Sequence, residues 1–184
     1  MRTPKWSYRF AAVAVTVAVL AAAAAWAQPP AAPSLAPMER LSFLVGTWEG
    51  EGWMDLGPDR RVTFSSREEV EPRLGGRVLV VEGLHRSPMP GAPEPVVVHH
   101  ALGVLSHDDG DAYHFRTWLA NGHGGDFAAR LERDGVLVWG YDDPRRGEVR
   151  YTITIADGTW REAGDARRDG GEWHRFFEMT LARR

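Results

Sequence analysis

Phe43-Leu44-Val45-Gly46-Thr47-Trp48-Glu49-Gly50-Glu51-Gly52 is the segment around which the rest of this chain is organised. Read with a period of two, it places Trp48 among glycines on one face and charged or polar side chains on the other. The face that holds Trp48 also carries Gly46, Gly50, Gly52 and Met54. The alternation predicts an antiparallel strand with one wet face. Because glycine in a strand marks a bend or a close approach, the pattern favours the first strand of a closing β-barrel.

The chain after Gly46 consists of short alternating runs separated by Gly, Pro and Asp turns. Asp134-Gly135 and Asp157-Gly158 are strong hairpin signals, and only the segment 86–95, with its four prolines, predicts a long loop. A short helix is expected over Met38 to Val45. These runs predict an all-β fold, an antiparallel meander of about ten strands. We expect the meander to close into a β-barrel because closure removes the exposed edges.

The N-terminal segment, residues 1–27, has the pattern of a signal peptide. Basic residues precede an apolar run, and Ala25-Trp26-Ala27 is a cleavage signal. The alternative is an uncleaved membrane anchor, but the run is shorter than the ~20 residues that a spanning helix needs. We therefore expect a linker at residues 28–37 and a barrel domain at residues 38–184. The expected location is periplasmic or secreted, with no stable membrane anchor after cleavage.

Composition excludes several classes of site. The chain has no cysteine, so it forms no disulfide and no thiolate metal centre. Cleavage would take the net charge from −3 to −6, because Arg2, Lys5 and Arg9 leave with the leader. A mildly acidic domain argues against nucleic-acid binding, which favours a basic patch. No metal site is assigned, because the acidic turn at residues 107–111 lacks the downstream glutamate of a calcium loop.

Candidate binding residues follow from the predicted faces of the strands. His100 belongs to the more apolar set of its strand, with Val98, Leu102 and Val104, so we expect it to face inward. Glu82 shares a face with Val78, Val80 and Leu84 and is expected to face inward. It is then either a functional carboxylate with a raised pKa or, as we favour, half of a buried structural ion pair with an inward arginine such as Arg175. Phe115 and Trp139 are expected to be interior aromatics. A ten-stranded barrel is wider than an eight-stranded one, which side chains just fill. Glycines on the inner face would leave further room for an apolar or flat ligand.

Gly46-Thr47-Trp48 resembles the start of the lipocalin/calycin superfamily. The resemblance implies that the indole lies across the base of the barrel and that an arginine near the end of the last strand, Arg183 or Arg184, packs over it. The segments 41–53 and 173–181 also resemble an uncharacterised group of exported bacterial lipocalin-like proteins. That second resemblance carries no established activity.

The pattern Gly46-x-Trp48-x-Gly50-x-Gly52 resembles the nitrobindin family, ten-stranded barrels that hold a haem. That family has a haem-ligating histidine a few residues before the C-terminus, where this chain has Phe176. The nearby candidate is His174, two residues earlier and therefore on the same face of the strand. Haem is thus a candidate cofactor through this resemblance.

The leading hypothesis is an exported, non-enzymatic barrel that binds a small hydrophobic or aromatic molecule. One alternative is an enzyme that uses an inward carboxylate or histidine, and another is a ligand-free barrel that takes part in envelope interactions. No catalytic residue is assigned, since the chain has no Gly-x-Ser-x-Gly elbow, and the oligomeric state is open. The candidate ligand-binding residues are Trp48, Gly50, Gly52, Glu82, His100, Phe115, Trp139 and His174.

Overall fold

The computed structural model describes residues 34–57, 59–108 and 112–184. The predicted signal peptide at 1–27 and the linker residues 28–33 lie outside the described residues. A short helix, α1 (Ala36–Glu39), precedes a 3₁₀ turn at Ser42–Leu44. Ten strands follow: β1 Gly46–Asp55, β2 Arg61–Arg73, β3 Val78–Ser87, β4 Val96–His107, β5 Tyr113–Leu119, β6 Gly124–Arg133, β7 Val136–Asp143, β8 Gly147–Ala156, β9 Thr159–Arg167 and β10 His174–Arg183.

The strands form a closed antiparallel barrel in which each strand pairs with the next along the chain and β10 pairs with β1. The predicted ten-stranded meander with a short N-terminal helix is therefore confirmed. The helical segment begins at Ala36 rather than at Met38, and it is divided into α1 and the 3₁₀ turn. Among the described residues, no helix has the length and apolar character needed to cross a membrane.

The helical segment and Trp48 close one end of the barrel. Trp48 is completely buried, and its Nε1 donates a hydrogen bond to the carbonyl oxygen of Leu44 at 2.9 Å. The guanidinium of Arg183 lies 4.2 Å from the centre of the indole ring and donates to the carbonyl oxygens of Val45 and Phe43. The indole and the guanidinium have the arrangement that the Gly-x-Trp resemblance implies, with Arg183 in the arginine position.

The glycines of β1 serve close packing and do not enlarge the cavity. A side chain at Gly50 would collide with the backbone carbonyl of Thr180 on β10. At Gly52 a Cβ atom would lie 2.6 Å from the ring of Phe64 and 2.7 Å from Cβ of Met179. The expectation that these glycines leave room for a ligand is wrong, because neighbouring strands already fill the space.

Candidate functional site

A cavity of about 170 Å³ lies inside the barrel. Leu44 contributes to it from the helical segment, and the remaining lining comes from the inward faces of β1 to β5 and β7 to β10. Its aromatic lining residues are Phe115, Trp139, Tyr151, Trp160 and Phe177, and its polar ones are Glu68, His85, His99, Thr117 and Glu162.

The aromatic side chains form a connected group. Trp139 and Tyr151 are stacked, with ring centroids 4.4 Å apart and an angle of 11° between the planes. Phe115 meets Trp139 edge-on at 5.1 Å, and Phe177 meets Tyr151 edge-on at 5.8 Å. These contacts hold the rings in defined orientations, so one part of the cavity has a flat and mostly apolar wall.

A buried polar cluster lines another part of the wall, on β2 and β3. Glu68 is only 6% exposed. Its Oε1 accepts a hydrogen bond from Ser66 Oγ at 3.1 Å and lies 3.0 Å from His85 Nε2. The imidazole of His85 stacks on Phe64 at 4.5 Å. A Cβ atom at Gly83 would lie 2.7 Å from Glu68 Oε2, so glycine at this position provides the space that the carboxyl group occupies.

Burial determines the protonation of this cluster. It raises the pKa of Glu68 to about 8 and lowers the pKa of His85 to about 4. The contact between them has the geometry of an ion pair, but burial favours the neutral form of both groups. Between these two pH values the carboxyl group is therefore protonated and the imidazole is neutral, and the two are joined by a hydrogen bond between Glu68 Oε1 and His85 Nε2. Burial also lowers the pKa of His99 to about 4.

A second buried carboxyl group, Glu162 on β9, faces the same cavity. It is 8% exposed, and its Oε2 accepts a hydrogen bond from Trp160 Nε1 at 3.3 Å. Burial, with a further contribution from the charge of Glu68, raises the pKa of Glu162 to about 8. The cavity thus brings together two carboxyl groups that are mostly protonated at neutral pH.

Two of the residues predicted from the sequence line this cavity. Phe115 and Trp139 do so as expected. Trp48 closes the base and contacts Trp160, which lines the cavity, edge-on at 5.6 Å. Gly50 and Gly52 are covered by neighbouring strands, as described above. Trp48, Gly50 and Gly52 are therefore absent from the cavity lining.

Glu82 and His100 face outward, which corrects the prediction that they lie inside. They contact each other across β3 and β4, with His100 Nε2 2.8 Å from Glu82 Oε1. The side chain of His100 is 44% exposed and that of Glu82 is 56% exposed. The more apolar faces of these two strands turn outward, while Gly83, Ala101 and Gly103 turn inward to the cavity. Glu82 and His100 therefore do not form an acid–base pair inside the barrel.

His174 is also outside the cavity. It is exposed at the start of β10, while Phe177 and Met179 of that strand line the interior. The pairing of β10 with β9 shifts between Arg175 and Phe177. Residues before and after this shift therefore cannot be assigned to one face of the strand by counting in twos.

Glu68, His85 and Glu162 are functional candidates that the sequence reasoning missed. Glu68 continues the inward series of Val62, Phe64 and Ser66 with a period of two, so the alternation contained its signal. Glu162 follows Trp160 with the same period. His85 carried no such signal, because β3 has apolar residues on both faces.

Comparisons with known proteins agree with this architecture. No family model and no curated protein matches the sequence. Among solved structures, the chain is similar to Rv2717c from M. tuberculosis, with a TM-score of 0.62 and 15% identity over 82% of this chain and 99% of that one. It is also similar to the S-type phycobiliprotein lyase CPES from Guillardia theta, with a TM-score of 0.53 and 12% identity over 81% of this chain and 91% of that one. At these identities the likeness shows the fold alone, a closed antiparallel β-barrel.

Haem does not fit the described residues. The predicted ligand, His174, is exposed and is not part of the cavity lining. Two imidazoles line the cavity, with ring centroids 4.9 Å apart, and that of His85 is already in contact with Glu68. A cavity of about 170 Å³ is also smaller than the roughly 300–1,000 Å³ of pockets that take drug-sized ligands, and haem is larger than most such ligands.

Proposed function

We propose that this barrel binds a small, flat aromatic molecule of one or two fused rings in its interior. The observation that carries the proposal is the cavity of about 170 Å³ lined by Phe115, Trp139, Tyr151 and Phe177. An engineered apolar protein cavity of roughly 150 Å³ holds one benzene molecule, so the volume sets the size of the ligand. The stacked and edge-on rings supply apolar surfaces against which another ring can pack.

Fold analogy is consistent with this proposal but does not carry it. The structural neighbour CPES is a phycobiliprotein lyase, a different protein with 12% identity to this chain. Function belongs to sites rather than to folds, so it is the lining of the cavity that supports the proposal. The nitrobindin resemblance stays a prediction, and hemin serves below as a comparison probe.

Titration calorimetry with toluene, indole and hemin tests the proposal. We expect toluene and indole to bind with Kd values below about 1 mM, equivalent to roughly −4 kcal/mol, and hemin to show no binding in the cavity. Ala101 lines the cavity, so Ala101→Phe should weaken toluene binding at least tenfold by occupying the ligand's space.

The matched control places the same substitution on an outward position. Ala128 is exposed on β6, and Ala128→Phe should leave toluene binding unchanged. The proposal is wrong if neither toluene nor indole binds, or if Ala101→Phe and Ala128→Phe bind toluene equally well. Binding of hemin with a shifted Soret band that survives Ala101→Phe would indicate a haem site elsewhere on the barrel.

We also propose that the protein is exported to the periplasm or secreted. The support is the leader pattern of residues 1–27 and the Ala25-Trp26-Ala27 cleavage signal. N-terminal sequencing of the protein recovered from its producing cells tests this, with Gln28 as the expected first residue. A chain that retains residues 1–27 would contradict it.

A further inference from the structure

We infer that the ligand is an arylalkylamine, a ring with an amine on an alkyl carbon, whose ammonium group pairs with Glu162 inside the barrel. The inference rests on the proposed function and names the chemical class of its ligand. It depends on three features of the cavity. They are a buried carboxyl group without a cationic partner, the aromatic rings around it, and a second carboxyl group that already has two hydrogen-bonding partners.

Glu162 is a carboxyl group with unused binding capacity. Its Oε2 accepts one long hydrogen bond from Trp160, and its Oε1 has no hydrogen-bond partner among the described residues. Buried carboxyl groups are normally paired with a cation or fully hydrogen-bonded. No arginine or lysine is among the described residues that line the cavity. Without a cation beside it the carboxyl group stays neutral, and a ligand can supply the positive charge that its ionised form needs.

The neighbouring Asp165 is a second buried carboxyl group on β9, and unlike Glu162 it has cationic partners. Asp165 lies on the opposite face of β9 and is 7% exposed, nearly the same as Glu162. It pairs with Arg150 at 3.4 Å and with Arg175 at 2.9 Å. Two carboxyl groups of one strand are thus equally buried, and only the one that faces the cavity has no guanidinium beside it.

The aromatic lining suits an ammonium group as well as a ring. Faces of Trp and Tyr rings attract cations that lie within about 6 Å of the ring centre. Trp139, Tyr151 and Trp160 line the same cavity as Glu162. An arylalkylamine would place its ring in the apolar part of the cavity and its ammonium group beside Glu162 and these rings.

Glu68 is less suited than Glu162 to be the ion-pair partner. Its Oε1 already accepts from Ser66 and contacts His85 Nε2, so less of its hydrogen-bonding capacity is open to an ammonium group than that of Glu162, which accepts one long hydrogen bond. Glu68 adds negative potential when it ionises, since its charge acts on Glu162. Its expected role is to favour a cation in the cavity, with Glu162 as the direct partner.

Binding should release a proton below pH 8. The pKa of Glu162 is about 8 without a cation, and an adjacent ammonium group lowers that pKa. The ammonium group itself stays charged, because an alkylammonium loses its proton only at about pH 10. The other titratable groups that face the cavity do not change charge over pH 6–7: burial keeps His85 and His99 neutral and Tyr151 protonated, and Glu68 ionises near pH 8. Affinity for an amine should therefore rise about tenfold per pH unit from pH 6 towards pH 8 and then level off.

Calorimetry with benzylamine and toluene at pH 6, 7 and 8 tests the inference in the full-length protein. Benzylamine should bind about tenfold more tightly at pH 7 than at pH 6, whereas the Kd of toluene should not change. Measurements at pH 7 in phosphate and in Tris, whose ionisation enthalpies differ, should show close to one proton released per benzylamine bound. This proton count needs no variant and therefore does not depend on the stability of one.

The variant Glu162→Gln keeps the shape of the side chain and removes its charge. It should abolish both the proton release and the pH dependence of benzylamine binding, while toluene binding persists. The control Glu51→Gln removes an exposed carboxyl group from β1 and should leave both unchanged. If toluene binds but benzylamine binds no more tightly at higher pH, or if Glu162→Gln still releases the proton, the inference is overturned and the proposed function stands. If neither probe binds, the proposed function itself fails.

Discussion

A single residue, Trp48, ties together three parts of the chain at the base of the barrel. Its Nε1 donates to Leu44 at the end of the 3₁₀ turn, its ring contacts Trp160 of β9, and the guanidinium of Arg183 covers its other side. Arg183 also donates to the carbonyl oxygens of Phe43 and Val45. The indole therefore connects the helical segment with the first, ninth and tenth strands.

Trp48→Ala should lower the free energy of unfolding by about 3–5 kcal/mol, because it removes a large, completely buried side chain and one buried hydrogen bond. Arg183→Ala should cost much less, since the guanidinium lies at the surface. Trp118→Ala is the control, because Trp118 is 49% exposed on β5. Urea unfolding followed by circular dichroism measures all three. If Trp48→Ala unfolds at nearly the same urea concentration as the wild type, Trp48 is not what closes the barrel.

At the level of strands, β3 and β4 show why an apolar face need not be the inner one. Both strands carry apolar residues on both faces. Val98 and Leu102 are exposed on the outer side, whereas Gly83 and Gly103 face the interior. A Cβ atom at Gly103 would collide with the ring of Phe115. The interior selects small residues here because large rings from neighbouring strands occupy the space, so apolarity alone selects the wrong face.

His85→Ala and His100→Ala test this assignment of faces on adjacent strands. His85→Ala should cost about 2–3 kcal/mol of unfolding free energy, because it leaves the buried Glu68 with one partner fewer and removes the stacking on Phe64. His100→Ala should change the unfolding free energy by no more than about 0.5 kcal/mol, as is usual for surface substitutions. Thermal and urea unfolding of the two variants compare them. Equal losses would mean that the inward and outward faces are assigned incorrectly.

For the molecule as a whole, the interior groups predict how stability depends on pH. Glu68 and Glu162 have folded-state pKa values of about 8, above the ordinary value near 4.5, so the folded state holds more protons between these limits. Their contribution to the free energy of unfolding therefore falls as pH rises. His85 and His99 have folded-state pKa values of about 4, below the ordinary 6.5, so their contribution rises with pH between 4 and 6.5. The two effects oppose each other below pH 6.5.

We therefore expect a broad plateau of stability up to about pH 6.5 and a decline from pH 6.5 to 8, where only the carboxyl groups titrate. The free energy of unfolding should decline by about 1.4 kcal/mol per pH unit for each carboxyl group, because a shift of one pKa unit corresponds to that free energy. Urea unfolding at pH values from 5 to 9 measures it. Glu162→Gln should make the decline less steep, and Glu51→Gln should not. A stability that rises between pH 6.5 and 8 would contradict the assignment of two protonated interior carboxyl groups.

The strand pattern and the turns could be predicted from the amino-acid sequence, because they depend on local interactions. The closed base was implied by the resemblance of Gly46-Thr47-Trp48 to the lipocalin/calycin superfamily. Alternation with a period of two and Asp-Gly turns specify where strands begin and end. Trp48 among glycines specifies a large ring held by a tight strand pairing. Phe115 and Trp139 were identified as interior aromatics, and Glu68 continued the inward series of its strand.

The position of the polar groups in the cavity depended on the folded barrel. Glu68, His85 and Glu162 lie on β2, β3 and β9, and their proximity to one cavity arises from closure, which no local pattern describes. On strands that are apolar on both faces, the inward face depends on the size of side chains that arrive from other strands. The ring of Phe115 beside Gly103 is one such case on β4, the strand of His100, and the carboxyl group of Glu68 beside Gly83 is another on β3, the strand of Glu82.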